Sequence, residues 1–402
     1  MFNFNSNITS DTINEILSLR YATNQDLVFS KLTPTNFLSN NNSPSSEKIE
    51  QLLQNYIVNT IPKSSKISIA LSGGVDSTIV LAMLDKVDLD LEIDALSIKF
   101  SNSVDETILA SKIAERFNVN HRVIYLENYL EELPKAISIT KLPFWDLHFY
   151  HVAKNAKYNF LISGDGGDEL FGGYTFRYQK FLSLVDSKST PQEKTEAYLK
   201  CHERDWVPDQ ENIFLDKMNF SWKHIHKKLI PYFDNSLPLL EQVFLADYNG
   251  KLMYNWAPLF AKITNFFNQQ LITPILSPEI TSYAIPIPHE HKYNFKNNVG
   301  KLLLRKILSN YVDTSLIQSV KQGFTVDTKN LWYSYGQKIC KNYLIDGYVV
   351  KEKLINKDWI QKYIQNDNLE IKYINKFLGL LAFEIWFRIF EVKEMKSDNK
   401  LN

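Results

Sequence analysis

The stretch SGGVDS at residues 72–77 decides the fold class of this chain. It lies between a short apolar run, residues 67–71, and an amphipathic run, residues 78–84, so the pattern predicts a strand, a glycine turn and a helix start. Two glycines let successive backbone N–H groups turn inward, and the helix that follows presents the positive end of its dipole. The stretch therefore predicts a phosphate-binding loop.

Residue 76 distinguishes this loop from a Walker loop, in which a lysine reaches the outer phosphates. This chain has Asp76 instead. A carboxylate repels a bare phosphate, so Asp76 requires a cation, most simply Mg²⁺ bound to a nucleotide. The alternative is an ordinary serine-glycine turn in which Asp76 caps the helix.

A second glycine-rich stretch, SGDGGDELFGGY at residues 163–174, follows another apolar run, and the two stretches hold seven of the 13 glycines. Loops that follow parallel strands meet at the carboxyl edge of the sheet, where open α/β folds bind ligands. Asp76 and Asp168 are then placed to share a metal ion. A calcium loop is the alternative, but Asp165, Asp168 and Glu169 lack the alternate spacing of EF-hand ligands.

Together with later motifs, these loops resemble the synthetase half of the asparagine synthetase family, a branch of the PP-loop ATP pyrophosphatases. The resemblance runs from about residue 46 to about 391 and includes SIKF at 97–100 followed by Asp105-Glu106, KLLLR at 301–305, KQGF at 321–324 and FEIW at 383–386. It implies an α/β fold of the adenine nucleotide α hydrolase type, with a doubly wound parallel sheet and a helical carboxyl-terminal region. It also implies that ATP activates a carboxylate as an acyl-adenylate, which an amine opens to an amide.

The composition favours small-molecule chemistry. The chain has 402 residues, of which 44% are hydrophobic, and its 45 Lys and Arg balance its 45 Asp and Glu. No net charge steers it toward nucleic acid or an acidic membrane. Cys201 and Cys340 lack CxxC spacing, which argues against a disulfide framework, a zinc site and sulfur transfer, so we expect buried thiols.

The sequence predicts a cytoplasmic protein. The first thirty residues lack the features of a signal peptide. The most apolar late stretch, residues 377–390, is short and contains Glu384 and Arg388 four residues apart. This spacing predicts a buried helix with an internal ion pair, and no membrane span.

The order of predicted elements indicates two parts. A polar stretch, residues 39–46, predicts a linker. Residues 1–45 are therefore expected to be an amino-terminal remnant with its linker, and residues 46–402 a synthetase-like domain. Alternation of elements predicts a parallel sheet, with strands at 66–71, 92–98, 121–126 and 159–163 and helices at 75–85, 105–117, 128–138 and 146–156. After Tyr174 the strand patterns fade, which predicts a helical region over the ligand edge of the sheet.

The resemblance implies the cofactors, ATP and Mg²⁺, and the residues that bind them. Asp76 and Asp168 would hold the metal. The nucleotide-binding set is Leu71, Ser72, Gly73, Gly74, Asp76, Ser77, Ile98, Ser163 and Gly164, with Leu71 and Ile98 acting through backbone groups on adenosine. A plain core position is an equally good interpretation of the Ile98 side chain.

Three further residues are candidates for catalysis. Lys301 and Lys321 are 20 residues apart, the separation of the two active-site lysines of the family, and would stabilise charge near the α-phosphate. Solvated surface lysines are the alternative. Asp165 stands where relatives place an acidic residue and would take the proton from the attacking nitrogen; an aspartate that only bonds to its own loop is the alternative.

Some positions depart from the family pattern and leave the substrates open. QLITPILS at 270–277 stands where asparagine synthetases have Glu-x-Arg-x-Pro-Phe-Leu-Asp, and Leu259 and Ala261 replace a lysine and an aspartate. Aspartate is the default acyl substrate. An amide or lactam synthetase of a specialised-metabolite or peptide-modification pathway, or a non-catalytic nucleotide-binding partner subunit, stays open.

The resemblance also bears on the nitrogen source. Residues 31–38 resemble the segment of relatives that follows their amino-terminal glutaminase domain. The nucleophile of that glutaminase domain is an amino-terminal cysteine. This chain begins Met1-Phe2 and has no cysteine before Cys201. We therefore expect the partners to be a small-molecule carboxylate, ammonia or an amine, and a separate glutaminase subunit where one exists, with no nucleic acid and no membrane.

Overall fold

Five parallel strands form the central sheet in the order β3-β2-β1-β4-β5. The computed structural model describes residues 4, 8–38, 44–101, 105–202, 206–317 and 327–402. The strands are β1 Lys66–Ala70, β2 Glu92–Phe100, β3 Asn120–Leu126, β4 Phe160–Ile162 and β5 Gln270–Ile272. The chain proceeds outward from β1 through β2 to β3 and then crosses back to β4, on the other side of β1. The topological switch point, where ligands bind in such sheets, therefore lies between β1 and β4.

The sheet separates two apolar cores, as the predicted doubly wound fold requires. Ile67 and Ile69 of β1 belong to one core, whereas Leu96 and Leu161 belong to the other. The helices are α1 Ser10–Leu19, α2 Ser46–Thr60, α3 Val75–Lys86, α4 Thr107–Arg116, α5 Leu133–Thr140, α6 His148–Asn155, α7 Gly167–Phe171, α8 Thr175–Leu184, α9 Pro191–Cys201, α10 Trp222–Phe233, α11 Leu239–Asp247, α12 Ala257–Phe266, α13 Pro278–Ala284, α14 Leu302–Leu308, α15 Thr328–Leu331, α16 Gln337–Leu344, α17 Tyr348–Lys351, α18 Lys357–Ile364 and α19 Ile371–Phe387. The predicted fold class, a parallel α/β sheet with a helical carboxyl-terminal region, is confirmed.

Shorter elements complete the chain. Three π-helical segments, Tyr248–Trp256, Trp332–Gly336 and Arg388–Val392, continue α11, α15 and α19. A two-stranded antiparallel ladder pairs β6 Tyr293–Asn294 with β7 Val299–Gly300. The 3₁₀ turns are Pro34–Phe37, Gln210–Asn212, Asp216–Met218, Pro274–Leu276, His289–His291 and Thr314–Leu316.

The start of one helix was predicted wrongly, and one strand of the sheet was not predicted. The helix predicted at 128–138 begins only at Leu133, because Asn128 closes a turn by accepting a hydrogen bond from the backbone of Leu130 and Pro134 then fixes the first helical turn. The strand β5 lies inside the stretch at 270–277, for which no strand was predicted. Its three residues are too few for an alternation pattern, and pairing with β4 determines it.

The carboxyl-terminal helix α19 passes through the second core. Glu384 accepts a hydrogen bond from Arg388 Nε at 2.6 Å and from the backbone N–H groups of Tyr348 and Val349, both at 2.9 Å. The predicted buried helix with an internal ion pair is therefore confirmed. Both cysteines are buried, as expected. Among the helices of the described residues, none combines the length and the apolar character needed to cross a membrane.

The amino-terminal segment is folded onto the rest of the chain. Thr9 caps α1, which packs against α19, and Asn14 donates a hydrogen bond to the carbonyl of Met218 at 2.8 Å. Of the predicted linker, residues 39–43 lie outside the described residues, and Ser45 caps α2. Residues 10–37 therefore contribute buried surface to the fold.

Candidate active site

The two glycine-rich loops touch at the carboxyl ends of β1 and β4. A Cβ atom on Gly164 would lie 2.7 Å from the backbone of both Asp76 and Ser77, so only a glycine allows this approach. Gly73 and Gly166 adopt φ values of +73° and +97°, which favour glycine. The structure thus brings together the two loops that the sequence singled out.

The loop at 72–77 leads directly into α3. The hydroxyl groups of Ser72 and Ser77 form a hydrogen bond at 3.1 Å, and the backbone N–H of Ser72 donates to Ser77 Oγ at 3.2 Å. The N-cap is Gly74, which has no side chain to occupy the first N–H groups of the helix. Asp76 lies in the first turn and not at the cap, so the capping alternative is not what the structure shows. The helix start is a fitting place for an anion.

A buried lysine joins the two predicted metal ligands. Lys301 Nζ lies 2.5 Å from Asp76 Oδ2 and 2.8 Å from Asp168 Oδ1, and its side chain is 10% exposed. Burial acts to lower the pKa of Lys301, but the charges of Asp168 and Asp76 outweigh it and raise this pKa above its ordinary value. Asp76 and Asp168, predicted to share a metal ion, and Lys301, predicted separately, form one cluster.

Glycines make room for this cluster. A Cβ atom on Gly173 would lie 1.8 Å from Asp168 Oδ1 and 2.3 Å from Lys301 Cε. A Cβ atom on Gly167 would lie 2.2 Å from Asp76 Oδ1. The density of glycines in the second loop therefore has a steric reason, because two carboxylates and an ammonium group occupy the space of their side chains.

The two carboxylates suit a magnesium ion that arrives with phosphates. They already converge on one positive charge, the ammonium group of Lys301. In the described part of the chain, no three His, Cys, Asp or Glu side chains are arranged to hold a metal. Mg²⁺ commonly binds through one or two carboxylates and completes its octahedron with phosphate oxygens and water. Asp76 and Asp168 therefore fit a nucleotide-bound Mg²⁺.

Asp165 lies buried beside this cluster. Ser163 Oγ donates a hydrogen bond to Asp165 Oδ2 at 2.6 Å. Burial raises the pKa of Asp165 to about 6, although the hydrogen bond from Ser163 acts to lower it. The negative charges of Asp76 and Asp168 also raise this pKa. A carboxylate with a pKa near neutrality is suited to proton transfer.

One site residue that the sequence did not predict is His148, whose charge acts on Asp165. It is the first residue of α6, the helix that precedes β4 in the chain. His148 Nδ1 lies 3.5 Å from Asp146 Oδ1, and Arg20 Nη1 lies 3.1 Å from Asp146 Oδ2. A positive charge on His148 lowers the pKa of Asp165. No motif marks these residues in the sequence.

Asp146 is held ionised by its neighbours. Burial acts to raise the pKa of Asp146, but the hydrogen bond with His148 and the charges of Arg20 and Lys251 outweigh it and lower this pKa. Trp256 and Phe260 pack edge-on against the His148 ring, with centroid distances of 5.9 and 6.1 Å. The imidazole is therefore held in one place by a carboxylate and two aromatic rings.

The remaining candidate residues lie at the same edge or outside the described residues. Leu71 continues β1, with its N–H bonded to Leu96 O and its carbonyl accepting from Ser97 Oγ at 2.5 Å. Ile98 is buried in β2. Lys321 and Gly323 lie outside the described residues.

Known proteins resemble this chain over most of its length. A family model described as Asparagine synthase matches residues 48–388. "Asparagine synthetase [glutamine-hydrolyzing] 1" of Bacillus subtilis is 27% identical over 363 residues, which cover 79% of this chain and 55% of that protein. "Putative asparagine synthetase [glutamine-hydrolyzing]" of Mycobacterium bovis is 22% identical over 386 residues, 86% of this chain and 58% of that protein. The chain thus spans little more than half the length of these relatives.

A solved structure of NMN synthetase from Francisella tularensis is also similar. It has 16% sequence identity and a TM-score of 0.23, and the match covers 56% of this chain and 94% of that one. A TM-score this low supports no conclusion about the fold or the site.

Proposed function

The chain belongs to the asparagine synthase family, and on that premise we propose that it is an ATP-dependent ligase that forms carbon–nitrogen bonds. It activates a carboxylate as an acyl-adenylate and releases pyrophosphate. Ammonia or an amine then attacks the acyl carbon, which forms the amide and releases AMP. Aspartate is the default acyl substrate, because it is the substrate of the enzymes that the site resembles.

One observation carries this proposal. Asp76, Asp168 and Asp165, which come from two separate loops, converge with Lys301 at the switch point of the sheet. A structural ion pair needs no third carboxylate, and burying like charges together is costly. Such a cluster of buried charged groups is expected in an active site, where charges form and disappear during the reaction.

The first half-reaction brings a carboxylate toward the anionic α-phosphate. Mg²⁺, when bound by Asp76 and Asp168 with the nucleotide, supplies positive charge at the reacting phosphates. The hydroxyl groups of Ser72 and Ser77 and the N–H groups at the start of α3 bind the departing pyrophosphate.

Other residues of the set orient the nucleotide and stabilise the developing charge. Lys301 and Lys321 contribute positive charge near the α-phosphate, where it matters most in the transition state. The backbone groups of Leu71 and Ile98, with Ser163 and Gly164, position adenosine at the carboxyl edge of β1, β2 and β4. Leu71 acts through the second lone pair of its carbonyl, because its N–H already bonds to Leu96 O.

The second half-reaction requires a base. Asp165, with a pKa of about 6, is largely ionised near neutral pH and accepts a proton from the attacking nitrogen. Ser163 fixes the carboxylate by its 2.6 Å hydrogen bond. His148 adds a positively charged neighbour when protonated, which favours the ionised form of Asp165.

Nitrogen is the second substrate of the proposed reaction. Residues 48–388 match the synthase model, and ammonia, an amine or a separate glutaminase subunit supplies the nitrogen to this part of the chain. Giving the purified chain either ¹⁵N-ammonium or amide-labelled ¹⁵N-glutamine tests this: efficient transfer from glutamine without a second protein would contradict it.

A screen of carboxylates tests the central claim. Each acid is mixed with ATP, Mg²⁺ and the chain, and AMP and pyrophosphate are measured. Asp76→Asn serves as the site variant and Asp85→Asn, exposed on the same helix α3, as the control. We expect carboxylate-dependent release of pyrophosphate by the wild type and by the Asp85→Asn control, and not by Asp76→Asn. ADP and phosphate as products would overturn the proposal.

A further inference from the structure

Lys301 stands between the two carboxylates that the proposed metal would use. Its ammonium group lies 2.5 Å from Asp76 Oδ2 and 2.8 Å from Asp168 Oδ1. Mg²⁺ would need to approach carboxylate oxygens of the same pair to 2.0–2.1 Å. Lys301 contacts one oxygen of each carboxylate, and a second cation at those same oxygens would meet strong repulsion in a buried site. The lysine and a metal bound to those oxygens therefore compete for one position.

The backbone holds Lys301 so that its side chain reaches this position. Lys301 has a left-handed φ of 58° and precedes the first residue of α14. Its N–H donates to Phe171 O at 3.0 Å, which fastens it to the end of α7. Gly173 leaves the space through which the side chain passes, since a Cβ atom there would lie 2.3 Å from Lys301 Cε. The left-handed backbone conformation of Lys301 therefore accompanies the placement of its ammonium group between the two aspartates.

A cation between the two carboxylates stabilises them where they are. Asp76 Oδ2 and Asp168 Oδ1 both contact the ammonium group of Lys301, and the charges of the two aspartates also act on the buried Asp165. Bringing buried like charges together without a compensating charge is costly. Lys301 therefore offsets a repulsion that a bound metal ion would otherwise offset.

We propose that the ammonium group of Lys301 occupies the metal position between Asp76 and Asp168 in the nucleotide-free protein. It leaves this position when Mg²⁺ arrives bound to ATP. The displaced ammonium group then has the phosphates as its new partner, which is the position the proposed function gives it. This last step rests on the proposed function, whereas the competition itself does not. Mg²⁺ without nucleotide should accordingly bind poorly.

A metal titration without nucleotide or acyl substrate tests the competition. Mn²⁺ binding to the full chain is followed by electron paramagnetic resonance, for the wild type, Lys301→Met and the control Lys306→Met. Lys306 lies in α14, the helix that Lys301 precedes, and is a surface residue whose Nζ lies 3.8 Å from Glu47 Oε1. We expect Lys301→Met to bind Mn²⁺ about tenfold or more tightly than the wild type, and Lys306→Met to match the wild type. Equal affinity of all three chains would overturn the proposal.

Thermal melting gives a second measurement that needs no variant. Adding Mg²⁺ alone should leave the Tm of the wild-type chain unchanged, because a displaced and unpaired ammonium group cancels the gain. A Tm that rises with Mg²⁺ alone would overturn the proposal even if Lys301→Met cannot be purified. Since neither experiment contains ATP, a failed carboxylate screen would leave their outcome unaffected.

Discussion

Two buried charge clusters in this molecule differ in how completely their charges are matched. Around Glu384, the matched cluster, a buried carboxylate meets the guanidinium of Arg388 and two backbone N–H groups, at distances of 2.6 to 2.9 Å, and Arg388 also bonds to the exposed Glu394. At the switch point of the sheet, the unmatched cluster, three aspartates share one buried region, where Lys301 contacts two of them and Arg305 acts on Asp76. The matched cluster accounts for itself as structure. The unmatched one gathers three like charges, where burial and the charges of the other two aspartates raise the pKa of Asp165, and this is where chemistry is expected.

Asp165→Asn should produce the largest effect, by removing the base from the unmatched cluster. Amide formation with ammonium should fall by about 10²–10⁴, while formation of the acyl-adenylate continues, because the base acts only on the incoming nitrogen. Separate assays of pyrophosphate release and of amide product distinguish the two steps. Hydroxylamine, which attacks as a neutral molecule, should partly restore product. An equal loss of both steps would count against this role.

Asp76→Asn and Asp168→Asn should each reduce Mg²⁺-dependent pyrophosphate release by about 10²–10³, since each removes a charge that acts on the transition state. The protein should stay folded, as circular dichroism would report. Asp85→Asn provides the matched control on α3. Near-normal turnover with unchanged Mg²⁺ dependence in both variants would rule out a shared metal.

Glu384→Gln should affect stability without affecting the reaction. Loss of the charge weakens the bonds from Arg388 and from two backbone N–H groups, so the free energy of unfolding should fall by about 2 kcal/mol. Urea unfolding measures this, with Glu115→Gln, exposed on α4, as the control. If pyrophosphate release per folded molecule dropped as well, the division between a structural and a functional cluster would fail.

Asp165 should also make the stability of the wild type depend on pH. Its folded-state pKa of about 6 lies above the ordinary value of 3.8, so the folded chain binds this proton more tightly than the unfolded chain. The free energy of unfolding should therefore decrease as pH rises from about 4 to about 6, and stay lower above that. Asp165→Asn should lose this slope and be more stable than the wild type at pH 7. Identical slopes in both chains would contradict the pKa.

The sequence was sufficient for elements that local patterns determine. Strands β1 to β4 and the loops that follow β1 and β4 carry their own signals, because apolar runs and glycines act over a few residues. The strand β5 and the start of α5 were not predictable in this way, since one depends on pairing with β4 and the other on a turn closed by Asn128.

The same distinction holds for the candidate site. Asp76, Asp165 and Asp168 stand in glycine loops, which mark them in the sequence. Arg20 and His148 come from segments 128 residues apart and meet only through Asp146. Nothing in the local sequence marks such a contact. The expectation that Asp76 and Asp168 bind a metal stays a prediction, as does the role of Lys321.

The π-helical segment Tyr248–Trp256 makes one part of the chain intolerant of changes in length. Asn249 bonds to both backbone groups of Leu32, and Asn255 bonds to the carbonyl of Arg20, so the segment fastens the amino-terminal chain while Trp256 packs on His148. Successive residues of an α-helix are turned by about 100°, and a π-helix is wound less tightly. Deleting a single residue here would therefore change the rotation of Trp256 and all of α12 relative to the partners of Asn249.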